Sequence, residues 1–290
     1  VTGLVGSEMC IRDSSSDTQK KEYLPKMVKG EIITAIAMTE PGTGSDLQNI
    51  KTKATVKENN IILNGSKTFI TNGQNANLVL VVAKTDSTKK AKGISIVLCE
   101  DYRKGFEKGK NLKKIGMQAQ DTSELFFHDV ELPKENILGQ SGQGFGQLMD
   151  ELPQERLSIA VTAIAAAESA LDWTISYTKE RTAFNTKIID FQNTKFTLAK
   201  LKSELSVARV YIDRCIFEHI NNNFSAEDGA IAKLWCTELQ FKVIDECLQL
   251  FGGYGYMQEY PIAKAFMDAR VQRIYGGTSE IMKEIIGRNL

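Results

Sequence analysis

Two histidines in 290 residues leave little for imidazole chemistry. A His-rich metal centre or a Ser-His-Asp triad has almost nothing to draw on beyond His128 and His219. Both read as structural residues. His219 closes the series Leu198, Leu201, Leu205, Ala208, Ile212, Cys215, whose spacing of three and four is one helical stripe. His128 follows Phe126 and Phe127 in a strand-like run, where burial statistics make a packing role the ordinary one. Cysteine is scarce too. Five residues, odd in number and never spaced C-x-x-C, exclude a disulfide framework or a zinc knuckle and fit a reducing compartment. Neither charge is in excess: 36 Lys and Arg balance 36 Asp and Glu, so no bulk field draws the chain to nucleic acid or to a membrane surface. No apolar run reaches the roughly 18 to 20 residues that span a bilayer, and no charged n-region precedes an h-region. Together these absences predict a soluble, intracellular protein that binds no nucleic acid and has no transmembrane segment.

What is present is ordinary globular material, 42% hydrophobic and 25% charged, in two styles of sequence. From Ile32 to about Leu132, short β-rich runs ("IITAIAM", "IILNG", "NLVLVVAK", "GISIVLCE", "ELFFHDVEL") alternate with turn residues, the pattern of an antiparallel sandwich or barrel. From Gly142 onward the period becomes helical. "LSIAVTAIAAAESALDW", the stripe through residues 198–219, and "AIAKLWCTELQFKVIDECLQL" predict long helices with enough apolar coverage to pack as a bundle. The glycine-rich "GQSGQGFG" reads as a hinge between the two. The expected organisation is therefore α+β: a β domain over residues 35–141 and an α-helical bundle domain over 142–290. Ahead of them, residues 17–34 carry a helical piece, "DTQKKEYLPKMVKGE". Residues 1–16 show neither period and are expected to be disordered or foreign to the protein.

Glycine marks the candidate chemistry. In "AMTEPGTGSDL", residues 37–47, Pro41, Gly42 and Gly44 force a turn that Thr39, Thr43 and Ser45 line with hydroxyls. Such a turn is either a decorated β-turn or a cradle for a flavin edge or a phosphate. In "RIYGGTSEIM", residues 273–282, two glycines stand before a helix start. They either turn the chain or let a ligand approach bare backbone N–H groups. Three further motifs follow the same order along the chain: "NGSKTFITNG" (64–73), "ERTAFNTKIIDFQ" (180–192) and "QLFGGYGY" (249–256).

On these five motifs in register, the sequence from about Thr18 to Leu290 resembles the acyl-CoA dehydrogenase family. "ELPQER" and "EYPIAKAFMDARVQRIYGGT" are most similar to its long-chain members. The resemblance implies a flavoenzyme with an N-terminal helical domain, a middle β domain and a C-terminal four-helix bundle. Most of the first is expected to be missing, so that the chain reads as N-terminally truncated. It implies FAD as cofactor, with Met38, Thr39, Gly44 and Ser45 at the flavin and diphosphate and Phe69, Ile70 and Thr71 flanking the isoalloxazine. Phe69 stands where a tryptophan is frequent in the family; the aromatic face is retained and an indole N–H is lost. Arg181, Phe184 and Gln192 match positions that hold the adenosine half. Gln249, Gly252 and Gly253 match a backbone clamp supplied by a neighbouring subunit, which implies a homo-oligomer, a dimer of dimers. Thr278 and Glu280 match further flavin contacts.

Many relatives place the catalytic glutamate directly after the tyrosine of "YGGT", and this chain has Gly276 there. Removing the α-proton of an acyl thioester demands a positioned base. Long-chain and isovaleryl-type relatives supply it from another helix, at the position of Glu155. Read without the family, Glu155 is an acid in the first turn after a proline, where it favours the helix dipole. By resemblance it is the base, and burial beside substrate raises its pKa toward the working pH. Gly276 then offers its backbone N–H to the thioester carbonyl, as an oxyanion hole does. Ser45, Pro153, Gln154, Arg156, Tyr275 and Gly277 complete the expected substrate contacts, and no metal is expected. The implied reaction is dehydrogenation of acyl-CoA, medium to long chain, to trans-2-enoyl-CoA, with electrons passed to an electron-transfer flavoprotein in a bacterial cytoplasm or mitochondrial matrix. Two alternatives share the motifs: an acyl-CoA oxidase, and a non-catalytic assembly protein on the same fold.

Overall fold

The computed structural model describes residues 2–288 and 290; Val1, within the segment 1–16, and Asn289, within 142–290, lie outside them. The chain divides into two compact units, Val1–Lys114 with Gln118–Leu152, and Ile115–Met117 with Pro153–Leu290.

The first unit is built on a seven-stranded sheet. Its strands are β1 (Thr34–Ala37), β2 (Lys53–Val56), β3 (Asn60–Thr71), β4 (Leu78–Lys84), β5 (Ile94–Glu100), β6 (Phe106–Asn111) and β7 (Thr122–Pro133). The order is β1-β4-β2-β3-β7-β6, with β5 paired to β4. Most pairings are antiparallel, as the sequence predicts, but β1 runs parallel to β4 over Thr34–Ala37 and Leu78–Val81. The hairpin of β2 and β3 lies between them in the chain, so the backbone returns to β1's starting end before entering β4. β4 is buried on both faces. Val79, Val81 and Ala83 join one core with Ile61, Leu63, Leu125 and Phe127. Leu78, Leu80 and Val82 join a second core. Two helices contribute to that second core, α1 (Thr2–Ser14) through Cys10 and Ile11, and α2 (Asp17–Val28) through Tyr23 and Met27. The segment expected to be disordered or foreign to the protein is helical over Thr2–Ser14. Local pattern is weak there, and burial of Cys10 and Ile11 stabilises the helix.

The expected hinge is only partly a hinge. Gly139 and Gly142 adopt positive φ, but Gly144 already opens α3 (Gly144–Glu180). A Cβ on Gly144 would stand 2.6 Å from the Ser95 backbone, so glycine here serves close approach of helix to strand rather than mobility.

The second unit packs α3 from Pro153 onward with α4 (Gln192–Ile220), α5 (Ala226–Leu250), α6 (Pro261–Ala269) and α7 (Ser279–Gly287). The α4 stripe is buried as predicted, Leu198, Leu201, Leu205, Ala208, Ile212 and Cys215 all entering one core with Ala160, Ala163, Ile164, Val243 and Ile244. His219 is half-buried, edge-on to Phe224. His128 instead sits exposed on β7, stacked beside Phe126, because it falls on the outward face of the strand's alternation. Cys10, Cys99, Cys215, Cys236 and Cys247 are buried free thiols.

Candidate active site

In the β unit, the Thr39–Ser45 segment is a tight turn closed by reciprocal backbone bonds. The Glu40 N–H donates to the Thr43 carbonyl at 2.9 Å and the Thr43 N–H to the Glu40 carbonyl at 3.0 Å. Beneath it lies a buried ion pair. Lys67, wholly buried on β3, places its Nζ 2.9 Å from Glu40 Oε1 and 2.9 Å from the Met38 carbonyl. Glu40 also accepts from the backbone N–H groups of Lys51 at 2.6 Å and Thr52 at 2.9 Å, and the Thr68 N–H donates to the Thr39 carbonyl at 2.9 Å. Burial alone would raise the Glu40 carboxyl, but Lys67 and these donors outweigh it and hold the group below its ordinary value. Burial lowers the Lys67 ammonium to about 8 against the opposing pull of Glu40. The turn is thus tied at three points while Gly44 and Ser45 remain exposed.

Next to it, β3 bulges against β7 between Lys67 and Ile70. Phe69 sits in the bulge at φ 59 with its side chain 67% exposed. A non-glycine residue in this region is uncommon, and here it turns a large aromatic face outward. Ile70 points into the sheet core and Thr71 is half-buried.

In the helical unit, Glu155 lies well inside α3, past Pro153, and is not in the helix's first turn. The helix-dipole account of this acid therefore fails. The carboxylate is half-buried and has no hydrogen bond or ion pair among the described residues. Burial raises it to about 7, with neighbouring Arg156 pulling the other way. Arg156 is buried, and its Nε donates to the Gly276 carbonyl at 3.3 Å.

The Tyr275–Thr278 loop is held from several sides. Gly276 and Gly277 have φ 64 and φ 97. A Cβ on Gly276 would meet Ile159 Cδ1 at 2.7 Å, and one on Gly277 would meet Met282 Cε at 2.6 Å. Both conformation and space therefore call for glycine. Lys233 of α5, wholly buried, donates from Nζ to the Gly277 carbonyl at 2.7 Å. Glu238, also on α5, accepts from Ser279 Oγ at 2.7 Å and pairs with Arg273 at 2.7 Å, bracketing the loop at both ends. Thr278 caps α7 by accepting from the Ile281 N–H at 3.3 Å. Glu280 is exposed in the first turn of α7, where backbone and Thr278 hydrogen bonds keep its carboxyl low. Burial pushes the Tyr275 hydroxyl up to about 12.

A separate groove of about 860 Å³ lies elsewhere on the helical unit, lined by Arg181, Phe184, Gln249, Gly252, Gly253 and Tyr254 among others. Arg181 lies 5.5 Å over the Tyr254 ring. Phe184 is 92% exposed at φ 52. Arg181 and the Gln249–Gly253 loop line the same groove. The α5 helix delivers the loop to the place where α3 ends at Glu180. Gln192 opens α4 but is not among the groove's lining residues, although Phe191 and Asn193 are.

Sequence reasoning missed Lys67, Glu40, Lys233 and Glu238. A signal was present for both lysines. Lys67 continues the inward set Ile61, Leu63 along β3, and Lys233 falls within the buried stripe Gly229, Cys236, Gln240, Val243, Cys247 of α5. A lysine on an inward face is an anomaly that calls for a partner.

Comparison with known proteins places both regions of the chain in one family. The family model "Acyl-CoA dehydrogenase, C-terminal domain" matches residues 142–290 and "Acyl-CoA dehydrogenase, middle domain" matches residues 35–130. The chain is 50% identical over 97% of its length to the mitochondrial long-chain specific acyl-CoA dehydrogenase of Mus musculus, and spans 66% of that relative. It is 37% identical to the short-chain specific acyl-CoA dehydrogenase of Megasphaera elsdenii, covering 94% of this chain and 71% of that one. Among solved structures, an acyl-CoA dehydrogenase from Geobacillus kaustophilus superposes with a TM-score of 0.95 at 46% identity, over 97% of this chain and 74% of the other.

Proposed function

The chain belongs to the acyl-CoA dehydrogenase family, and from that premise we propose that it removes the α-proton and β-hydride of acyl-CoA thioesters, with Glu155 as the base. The observation that carries this reading is the state of Glu155. It is a carboxylate without a partner among the described residues, raised to about 7, and followed directly by the arginine that holds the Gly276 carbonyl. A group poised near neutrality is the one suited to take a proton at working pH.

The residues present fit FAD. Exposed aromatic faces at Phe69 and Phe184, a cationic side chain at Arg181, and bare backbone at Gly252 and Gly253, where a Cβ would meet nothing within 4 Å, form a donor set for a flavin with a diphosphate and an adenosine. Met38, Thr39, Gly44 and Ser45, with Phe69, Ile70 and Thr71, would hold the flavin end. Arg181, Phe184, Gln249, Gly252 and Gly253 would hold the adenosine end, and Thr278 and Glu280 add polar contacts. Gln192, between the groove-lining residues Phe191 and Asn193 at the start of α4, would add to the adenosine end. When bound, FAD supplies the acceptor for the β-hydride.

The chain's own part is proton transfer and orientation. Glu155 accepts the α-proton. Gly276, lacking a side chain, presents its N–H to the thioester carbonyl, and charge that develops on that oxygen is stabilised by a donor fixed in advance. Arg156 holds the loop by its carbonyl, and burial lowers its own pKa less than it would without Glu155 beside it. Tyr275, Pro153, Gln154, Gly277 and Ser45 would line the acyl and thioester path. Identity to the long-chain relative supports medium to long acyl chains. Electrons then leave to an electron-transfer flavoprotein, and the protein works as a homo-oligomer, a dimer of dimers.

Anaerobic stopped-flow mixing of the FAD-loaded protein with a saturated acyl-CoA tests this. Glu155→Gln keeps shape and hydrogen bonding but cannot take the proton, so loss of the yellow absorbance slows by about 10³- to 10⁴-fold while acyl-CoA still binds. Reduction within a few-fold of wild type would falsify the role of Glu155.

A further inference from the structure

The two glycines of the candidate loop are flanked by two buried cations, and only one of them sits beside a carboxylate in the chain. Arg156 follows Glu155. Lys233 has neither a salt bridge nor a carboxylate hydrogen bond among the described residues; its recorded partner is the Gly277 carbonyl at 2.7 Å. Its stem is also in place: Lys233 Cε lies 3.4 Å from where a Gly276 Cβ would be, and Arg156 Nη2 lies 3.7 Å from the corresponding point on Gly277. Burial first and the neighbouring Arg156 second lower the ammonium, against the opposing pull of Glu238, to about 8. A buried charge of this kind costs stability, and an apolar side chain of similar length would not incur that cost.

We propose that Lys233 is a positioning residue for the reaction: its ammonium seats the Gly276–Gly277 turn in its left-handed conformation, so that the Gly276 N–H is aimed at the thioester oxygen. Two successive glycines have the widest backbone freedom of any dipeptide, and nothing within the loop restricts them to φ 64 and φ 97. The restriction comes from outside, with Arg156 Nε holding the carbonyl of Gly276 and Lys233 Nζ that of Gly277. Clamping both carbonyls fixes the peptide planes, and a donor that is fixed before substrate arrives costs no reorganisation during the reaction. The same two charges place positive potential around the position where negative charge develops on the substrate oxygen. Lys233 touches neither substrate nor cofactor in this account and acts through Gly277.

This inference rests on the reading of the preceding subsection, and Lys233→Met separates the two. Methionine keeps a long flexible stem and removes the charge and the donor. The unfolding midpoint is expected to stay unchanged or rise, because the variant no longer buries a charge. Amide hydrogen exchange of the peptide spanning residues 273–279, measured on the protein without substrate, is expected to quicken by about 10-fold or more while exchange elsewhere in α5 is unchanged. With FAD and a saturated acyl-CoA, kcat is expected to fall about 10- to 100-fold with KM within about threefold, the signature of a donor that matters in the transition state. Unchanged exchange in the loop overturns the proposal, as does a general loss of stability with kcat per folded molecule intact. Failure of the wild-type flavin to be reduced overturns the functional reading alone, since the exchange measurement needs neither substrate nor flavin.

Discussion

Two candidate-site loops, one on each unit, are each held by a wholly buried lysine, yet the two lysines are not equivalent. Under the Thr39–Ser45 turn, Lys67 grips the Met38 carbonyl and is neutralised by Glu40 at 2.9 Å. Under the Tyr275–Thr278 loop, Lys233 grips the Gly277 carbonyl with no carboxylate bonded to it among the described residues. The first is a closed electrostatic unit whose Glu40 has its oxygens occupied by Lys67 and by backbone N–H groups. The second leaves Lys233 hydrogen-bonded to a carbonyl alone, with Glu238 acting on it only through space. A loop that needs only to keep its shape can be tied by a neutral pair, whereas a loop at which negative charge develops gains from leaving the cation unpaired.

The comparison breaks most visibly at Glu40. Glu40→Ala strands Lys67 as a buried charge, so a loss of about 3 to 5 kcal/mol is expected, read from the urea midpoint at neutral pH. Lys233→Met should show no such loss. If Glu40→Ala is tolerated as well as Lys233→Met, the two lysines are energetically alike and the contrast is wrong.

The glycines sharpen it at a smaller scale. Gly276→Ala must adopt positive φ and place its Cβ 2.7 Å from Ile159 Cδ1, for a combined cost of about 2 to 4 kcal/mol. Gly42→Ala in the other turn has negative or extended φ and open space around it, and should fall within about 0.5 kcal/mol of wild type. Paired thermal unfolding of the two variants checks the difference, and equal shifts would remove the distinction between a turn that tolerates side chains and a loop that does not.

The smallest expected effect is the pH dependence of stability at Glu155. Its folded pKa, about 7, lies above the ordinary 4.5, so between those values the folded state holds more protons than the unfolded one. Stability contributed by this group is therefore lost as pH rises from 4.5 through 7, and the penalty is complete above 7. Glu155→Gln removes it, and the variant should exceed wild type by about 1 to 3 kcal/mol at pH 8, after discounting for solvent at a half-buried group, with the gap closing toward pH 4.5. The flavin reduction rate of wild type should rise over the same range, with an apparent pKa near 7 in the free protein. A stability gap independent of pH would show that Glu155 titrates normally.

Much of this was legible in the sequence. The change from period two to a helical period marked a β region and a helical region, and the apolar stripe of α4 entered the core residue by residue. The five motifs pointed to the loops that carry the candidate chemistry. The rest was not legible for local reasons. The helix over Thr2–Ser14 has no strong period of its own, and its apolar residues are held by the sheet core. Glu155 follows a proline, which suggested a first turn, but α3 begins at Gly144 and carries Pro153 in its interior.

By itself the sequence determined the types of element, the inward faces and the positions where bare backbone is required, because these follow from side-chain period and from what glycine, proline and β-branched residues permit at each step. Only the tertiary structure decided which distant carbonyl each inward lysine would meet. Lys67 and Glu40 stand 27 residues apart, and Lys233 and Gly277 stand 44 apart. A buried ammonium is satisfied by whatever oxygen packing brings within about 3 Å, and neither propensity nor period encodes that meeting. Raising Glu155 toward neutrality was likewise a decision of packing, since burial sets that shift and burial is a property of the folded surroundings rather than of the residue.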